Sequence, residues 1–290
     1  MRSFRKERRS SKSTGECMRI PFTKAHGARN DFLLTWAHEA PREDLSAAAA
    51  AICDRHTGAG ADGWLLVSPP AKDHAAAIRL FNPDGGEVEM SGNGTRCAAA
   101  FLIDAGLGGD ELDILTGGGL KNLRLLSREG DCFEFEMNMG RAEMEELHAT
   151  VQGYDATILN VGNPQCAVFV PDFEFDWRGA GRALETDPRF PRRTNVSFVR
   201  AVDTRTIEVR FWERGAGETM SSGTGSTGAM AAAAARGLVT PPVTVRTPAG
   251  PLALREEGGE IRLAGPAEIV AAGEFYFRDR PGAKTSVRGA

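Results

Sequence analysis

Two serine-glycine turns, Met90-Ser91-Gly92-Asn93-Gly94-Thr95 and Ser221-Ser222-Gly223-Thr224-Gly225-Ser226, each run straight into an alanine-rich stretch. The match extends upstream. Residues 78–81 and 207–212 are apolar, strand-like runs, and Asn82 precedes Ser91 by the same nine positions that separate Glu213 from Ser222. A half-fold written twice is the simplest origin of such a pair, and it constrains the chain to two similar units, each built on a helix that opens at glycine. Helix N-termini of this kind leave backbone N–H groups without intrahelical acceptors and carry the positive end of the helix dipole. Two of them suit one carboxylate held between them, with the paired serines flanking whatever carries it.

The rest of the pattern fits around these helices. Apolar spacing predicts a helix over 43–56, with Leu45, Ala48, Ala49 and Ile52 on one face and Gly58 and Gly60 ending it. Further helices are expected over 94–105, 177–185 and 226–236. Short strands are expected over 18–22, 64–67, 78–81, 112–115, 120–126 and 132–137. The second series covers 157–161, 166–170, 194–199, 207–212, 243–246, 252–255, 261–264 and 275–277. Many strands with one central helix per half predict an α+β fold of two pseudo-symmetric barrel-like halves, each a sheet wrapped around a helix. Alanine suits that helix because small side chains let strands approach closely. The expected division is a disordered basic tail over 1–17, an N-terminal half over 18–134, a C-terminal half over 135–280 whose last strand can return to the first half, and a flexible tail over 281–290.

At 290 residues and a formal charge of −4, with no basic stripe in its body, the chain argues against nucleic acid or an anionic membrane as its main partner. No apolar run approaches the roughly eighteen residues of a membrane span, so a soluble protein is expected. Five scattered cysteines without CxxC spacing point to neither a disulfide framework nor a zinc site, and fit a reducing cytoplasm. Five histidines form no metal-ligating pattern, so no metal is expected. Arg2, Arg5, Lys6, Arg8, Arg9 and Lys12 lie among serines with no apolar signal core, and the folded part is expected to begin at Met18. The glycine turns lack a Gly-Lys-Ser/Thr ending, and no GxGxxG opens a βαβ unit, which sets nucleotide binding aside.

The segments Lys24-Ala25-His26-Gly27-Ala28-Arg29-Asn30-Asp31-Phe32, Asn82-Pro83-Asp84-Gly85-Gly86-Glu87, Gly92-Asn93-Gly94-Thr95-Arg96-Cys97, Gly162-Asn163-Pro164, Asn195-Val196 and Glu213 through Gly225 stand in order along the chain. Together they resemble the diaminopimelate epimerase family over nearly everything after Met18. The resemblance implies two α/β barrel-like halves with the active site in the cleft between them, no cofactor, and inversion of an amino-acid α-carbon by two bases acting on opposite faces. It implies that Asn30, Asn82, Asn163, Asn195, Glu213 and Arg214 hold the distal amino-acid end of diaminopimelate. The backbone N–H groups of Gly92, Asn93, Gly223 and Thr224 would then receive the α-carboxylate. A small amino-acid substrate and a homodimer are the expected partners, and lysine and peptidoglycan precursor synthesis the expected role.

The departures lie at the centre of that site. Ser91 and Ser222 stand where the family has its two catalytic cysteines, and Cys97 belongs to the downstream part of the motif. A hydroxyl is a weaker acid than a thiol by about five pKa units, roughly 7 kcal/mol for forming the conjugate base. Three readings follow: the serines are activated by a neighbour such as Glu213; the cleft runs another reaction, as a racemase of a smaller amino acid or a hydroxyproline-type dehydratase; or the chain is a non-catalytic binding relative. Gly63 replaces a frequent glutamine, Arg29 a usual glycine and Gln165 a usual histidine. Taken singly, asparagines beside glycine or proline serve turns, and Glu213-Arg214 reads as a surface pair. The ordered set turns them toward a ligand.

Overall fold

The computed structural model describes residues 17–71 and 75–278. The tails expected over 1–17 and 281–290 lie outside the described residues, except that Cys17 already belongs to the first strand.

β1 (Cys17–Gly27) turns through Ala28 and Arg29 into β2 (Asn30–Trp36). Both turn residues adopt left-handed backbone (φ 50° and 62°), the geometry that matches the twist of a two-residue hairpin. α1 (Leu45–Cys53), β3 (Gly63–Ser68), β4 (Ala76–Phe81), the short β5 (Glu87–Val88) and α2 (Gly92–Asp104) follow. β6 (Glu111–Thr116), β7 (Gly119–Glu129) and β8 (Cys132–Gly140) complete the first series. The second runs β9 (Glu143–Val151), β10 (Tyr154–Asn160), β11 (Pro164–Phe169), α3 (Trp177–Glu185), β12 (Asn195–Asp203), β13 (Thr206–Glu213) and β14 (Gly217–Thr219). It ends with α4 (Gly223–Ala235), β15 (Val243–Thr247), β16 (Gly250–Glu257) and β17 (Glu260–Arg278).

The hydrogen-bond ladder β1-β2-β3-β4-β6-β7-β8-β17 returns to β1 and closes a barrel. The second ladder runs β9-β10-β11-β12-β13-β15-β16-β17. β17 belongs to both: residues 260–264 pair with β16, and residues 268–278 pair with β1. The duplication seen in the turns is gapless from β4 through β7, which map onto β13 through β16. A constant offset of 131 residues carries Ser91 to Ser222, α2 onto α4 end for end, and Thr116 and Gly119 onto Thr247 and Gly250.

Each central helix is enclosed. In α2 every residue from Gly92 to Leu102 is buried, and in α4 every residue from Ser226 to Ala233. Their alanines share one continuous core with Leu34, Leu65, Phe135, Met137, Phe211 and Leu263, so the two barrels are joined by packing as well as by β17. α1 covers the outside of the first barrel over Ile20, Leu33 and Trp64, and α3 the second over Val196, Phe198 and Trp212.

Three expectations are corrected. The central helices begin at Gly92 and Gly223, two and three residues earlier than expected, because Ser91 and Ser222 are themselves the N-caps and the glycines form the first turn. The strands expected over 261–264 and 275–277 are parts of the single β17, since the ladder to β8 continues through Gly265-Pro266-Ala267 and the ladder to β1 takes over from Glu268. β2 and β9 were not anticipated. β2 has four consecutive buried residues and lacks alternation, while β9 carries three glutamates in its first four residues and is mostly exposed.

Candidate active site at the paired helix ends

The N-termini of α2 and α4 meet. A methyl group built on Gly223 would lie 3.7 Å from the Gly92 Cα, and one on Gly92 would lie 3.8 Å from the Gly223 Cα. The caps are near-identical, with Ser91 at φ −130°, ψ 125° and Ser222 at φ −137°, ψ 122°. Ser91 Oγ accepts from the Gly94 N–H at 3.2 Å, and Ser222 Oγ accepts from the Gly225 N–H at 3.1 Å. The serine carbonyls accept from the N–H groups of Thr95 and Ser226. This leaves the N–H groups of Gly92, Asn93, Gly223 and Thr224 without acceptors among the described residues. The fold thus brings together four of the residues predicted from sequence, at the positive ends of two buried helices.

The two ends differ in what stands beside them. Ser222 Oγ donates to Glu213 Oε2 at 3.0 Å, and Thr219 Oγ1 donates to Glu213 Oε1 at 2.6 Å. Burial raises the Glu213 carboxyl above the usual carboxylate range, and these two hydrogen bonds oppose the rise only in part. Ser91 has no such partner among the described residues; the position matching Glu213 in the first half is Asn82. Asn82 N–H donates to the Gly86 carbonyl within the turn, and its half-buried side chain has no protein partner among the described residues.

The loop after β13 is held from below. Glu185, buried at the end of α3, accepts from the Trp212 indole at 2.8 Å, the Gly215 N–H at 2.9 Å and Arg193 at 3.3 Å. Burial would raise its carboxyl, but these donors outweigh it and the pKa falls below the usual value. Asn195 donates to the Pro164 carbonyl at 3.0 Å and accepts from the Arg214 N–H at 3.1 Å, tying β11 to the same loop. The Arg214 side chain is exposed and donates to the Arg192 carbonyl. Asn163 donates to Thr224 Oγ1 at 3.4 Å and accepts from buried Gln165 at 2.6 Å, which sets it beside the α4 end.

On the first half, Asn93 donates to Asn30 at 3.2 Å, and Asn30 donates to Asp62 at 2.9 Å. Arg55 bridges Asp62 at 2.6 Å and Asp31 at 2.7 Å, and Lys24 lies 3.0 Å from Asp31. Burial pushes the Asp31 carboxyl up, and the Arg55 and Lys24 contacts more than reverse this. Arg96 donates to Asn93 Oδ1 at 2.5 Å from a fully buried position.

No thiol replaces the missing pair. Cys97 sits in the second turn of α2, fully buried, and burial pushes it up to about 12, as it does Cys53 and Cys166. Cys17 and Cys132 are exposed residues at the starts of β1 and β8. At Gly63 a Cβ would lie 3.0 Å from Leu80 and 3.2 Å from Phe32, so this chain packs core atoms where a longer side chain would point. Arg29 is exposed on the hairpin turn.

The sequence profile of diaminopimelate epimerase matches residues 22–145 and 157–270. This chain belongs to the diaminopimelate epimerase family. A diaminopimelate epimerase of Pelotomaculum thermopropionicum is 39% identical over 279 residues, covering 89% of this chain and 99% of that protein. Among solved structures, a Bacillus anthracis phenazine biosynthesis protein superposes with a TM-score of 0.68 at 14% identity, covering 88% of this chain and 98% of that one. A hydroxyproline epimerase of Agrobacterium vitis, crystallised with trans-4-hydroxy-L-proline, superposes with a TM-score of 0.67 at 17% identity, covering 90% and 94%. These two likenesses concern the fold.

Set within the diaminopimelate epimerase family, the site contains residues that the sequence reading passed over. Thr219, Glu185 and Asp62 orient Glu213, the Arg214 loop and Asn30 respectively. Thr219 carried a signal, since it lies inside the Glu213 to Gly225 motif. Glu185 carried none, because it reaches the loop only through the packing of α3 on β13.

Proposed function

We propose that this chain is a cofactor-independent amino-acid epimerase that interconverts LL- and meso-2,6-diaminopimelate, with Ser91 and Ser222 on opposite faces of the α-carbon. The observation that carries the reading is the meeting of α2 and α4 at Gly92 and Gly223, with four free N–H groups between the serines. The substrate α-carboxylate sits on the N–H groups of Gly92, Asn93, Gly223 and Thr224. Asn30, Asn82, Asn163, Asn195, Glu213 and Arg214 hold the distal end, where Arg214 pairs with carboxylate and the carboxamides serve either charge.

Proton transfer runs through the Glu213 carboxyl beside Ser222. The Cα–H bond breaks and its proton passes to Ser222 Oγ as the Ser222 hydroxyl proton passes to Glu213 Oε2. The electron pair left on the α-carbon spreads into the carboxylate, where the helix ends stabilise it. Ser91 delivers its hydroxyl proton to the opposite face and is reprotonated from solvent, while Glu213 returns the proton it received to solvent; the reverse reaction retraces these steps. Burial makes Glu213 a stronger base than an exposed carboxylate, which offsets part of the penalty of a hydroxyl at position 222. The reading places the enzyme in the cytoplasm as a homodimer serving lysine and peptidoglycan precursor synthesis; five free cysteines are consistent with a reducing compartment.

The loss of both thiols favours a second reading, in which the same site binds a dicarboxylic amino acid without turning it over. Proton NMR in deuterated water separates the two. Deuterium entering the α-position of LL- and meso-diaminopimelate, with conversion between them, is expected of the epimerase. Calorimetric binding with no exchange would leave the binding protein, and neither binding nor exchange would refute both.

A further inference from the structure

Arg96 is a buried cation with no anion. Its side chain is fully buried; Nε donates to the Pro266 carbonyl at 3.1 Å, Nη2 donates to Asn93 Oδ1 at 2.5 Å, and Nη1 has no partner among the described residues. It forms no ion pair with any described carboxylate. Burial lowers its pKa only to about 10, so it is charged at neutral pH. It sits in the second turn of α2, where the helix dipole is already positive and a cation is disfavoured. An uncompensated charge in such a place costs stability, and an anion arriving beside it offsets that cost.

The second half of the chain provides an internal control. The residue 131 positions on from Arg96 is Thr227, whose hydroxyl donates to the Gly223 carbonyl at 2.8 Å. α4 has the same length, cap geometry and burial as α2 without any buried cation, so neither the cap nor the packing of a central helix requires one. The α4 end has the buried Glu213 carboxyl instead, and the matching position beside α2 is Asn82. The two helix ends have the same backbone geometry and opposite electrostatic surroundings.

Resting on the epimerase reading above, we propose that Arg96 is a positioning residue that makes the α2 end the principal seat of the substrate α-carboxylate and holds the charge that grows there as the α-proton leaves toward Ser222. Its connection to the ligand is one-directional. Arg96 donates to Asn93 Oδ1, which fixes Asn93 Nδ2 toward Asn30 Oδ1 and in turn Asn30 Nδ2 toward Asp62. The same contact that charges the α2 end therefore orients the carboxamide of Asn30 at the distal end.

Three variants of the full chain test this: Arg96→Lys keeps a charge, Arg96→Met removes it in similar volume, and Asn93→Asp supplies a carboxylate to the guanidinium without emptying its site. Folding is checked by circular dichroism and melting, binding by calorimetry with LL-diaminopimelate, and turnover by α-deuterium exchange. Arg96→Met is expected to lower kcat about 100-fold, the scale of losing one preorganised charge-stabilising contact, with KM raised less than tenfold. Arg96→Lys is expected to recover most of that loss. Asn93→Asp is expected to raise the melting temperature of the unliganded protein while weakening binding at least tenfold, opposite movements that a purely structural role does not produce. Should Arg96→Met fail to fold, Asn93→Asp still decides. An active wild type in which Lys is as impaired as Met at equal folded fraction, or in which Asn93→Asp lowers stability together with turnover, overturns this inference alone. A wild type that neither binds nor exchanges diaminopimelate overturns the epimerase reading and this inference with it.

Discussion

Replacing both serines by cysteine should raise activity and lower stability at once. A thiol is the stronger acid by about five pKa units, or roughly 7 kcal/mol; if about half of that difference is expressed in the transition state, the barrier falls by about 3.5 kcal/mol and the rate rises about 300-fold. The same hydroxyls cap the two central helices, accepting the Gly94 N–H at 3.2 Å and the Gly225 N–H at 3.1 Å. Sulfur is a poor substitute in that role, and losing two caps at about 1 kcal/mol each should cost about 2 kcal/mol, or about 4–8 °C in melting temperature. Position matters as much as chemistry. Cys97, one turn inside α2, is pushed up to about 12 by burial, whereas a thiol at 91 or 222 lies at the helix end whose dipole favours thiolate. The assay is α-deuterium exchange and epimer conversion for the parent, both single variants and the double variant, each with a melting curve. Single variants should gain much less than the double, since inversion needs an acid and a base on opposite faces. A folded double variant that binds diaminopimelate and exchanges no faster than the parent would refute the placement of the serines beside the α-carbon.

Glu213→Gln should lower α-proton exchange by about 100-fold or more, as expected for loss of a positioned base, and should also change the pH dependence of stability. The folded-state pKa of Glu213 is raised, so the native state binds more protons than the unfolded state above the usual carboxylate pKa; its contribution is full at acid pH and is lost as pH rises through the folded value. The glutamine variant should therefore melt higher than the parent at pH 8, and the difference should vanish toward pH 4. Arg214→Ala should weaken diaminopimelate binding in calorimetry by about 1.5–3 kcal/mol, the range for a hydrogen bond to a charged group, with melting unchanged because the side chain bonds only the Arg192 carbonyl. In Gly223→Ala the added methyl would make ordinary contacts of 3.7–3.9 Å with Gly92, Leu263 and Met139. The variant should fold with stability within about 1 kcal/mol of the parent, yet bind at least tenfold more weakly because the methyl occupies the seam between the helix ends.

Much of the chemistry was local and therefore legible. Glycines followed by an alanine run are a free helix end and a buried helix, each decided within about a dozen residues, although the capping role of Ser91 and Ser222 was missed and the helix starts were placed two and three residues late. The repeat of that unit announced two equivalent halves, and the equal spacing of Asn82 to Ser91 and Glu213 to Ser222 marked where the halves differ. The long β17 was not legible, because its Gly265-Pro266-Ala267 segment has the local signals of a turn and is kept extended by pairing with β8. β2 gave no alternation because both its faces are covered.

The sequence by itself determined the two central helices, the duplicated plan and the absence of a thiol at either helix end, since all of these depend on residue type and short-range spacing. Tertiary structure alone decided that the two glycine turns face each other at Gly92 and Gly223, across 131 residues of chain. It also decided that Glu185 supports the Arg214 loop from α3, and that Arg96 lies buried without an anion beneath one end while Glu213 lies buried beside the other. Burial and long-range contact set the charge state and strength of those groups, and neither is a property of the residues that precede and follow them.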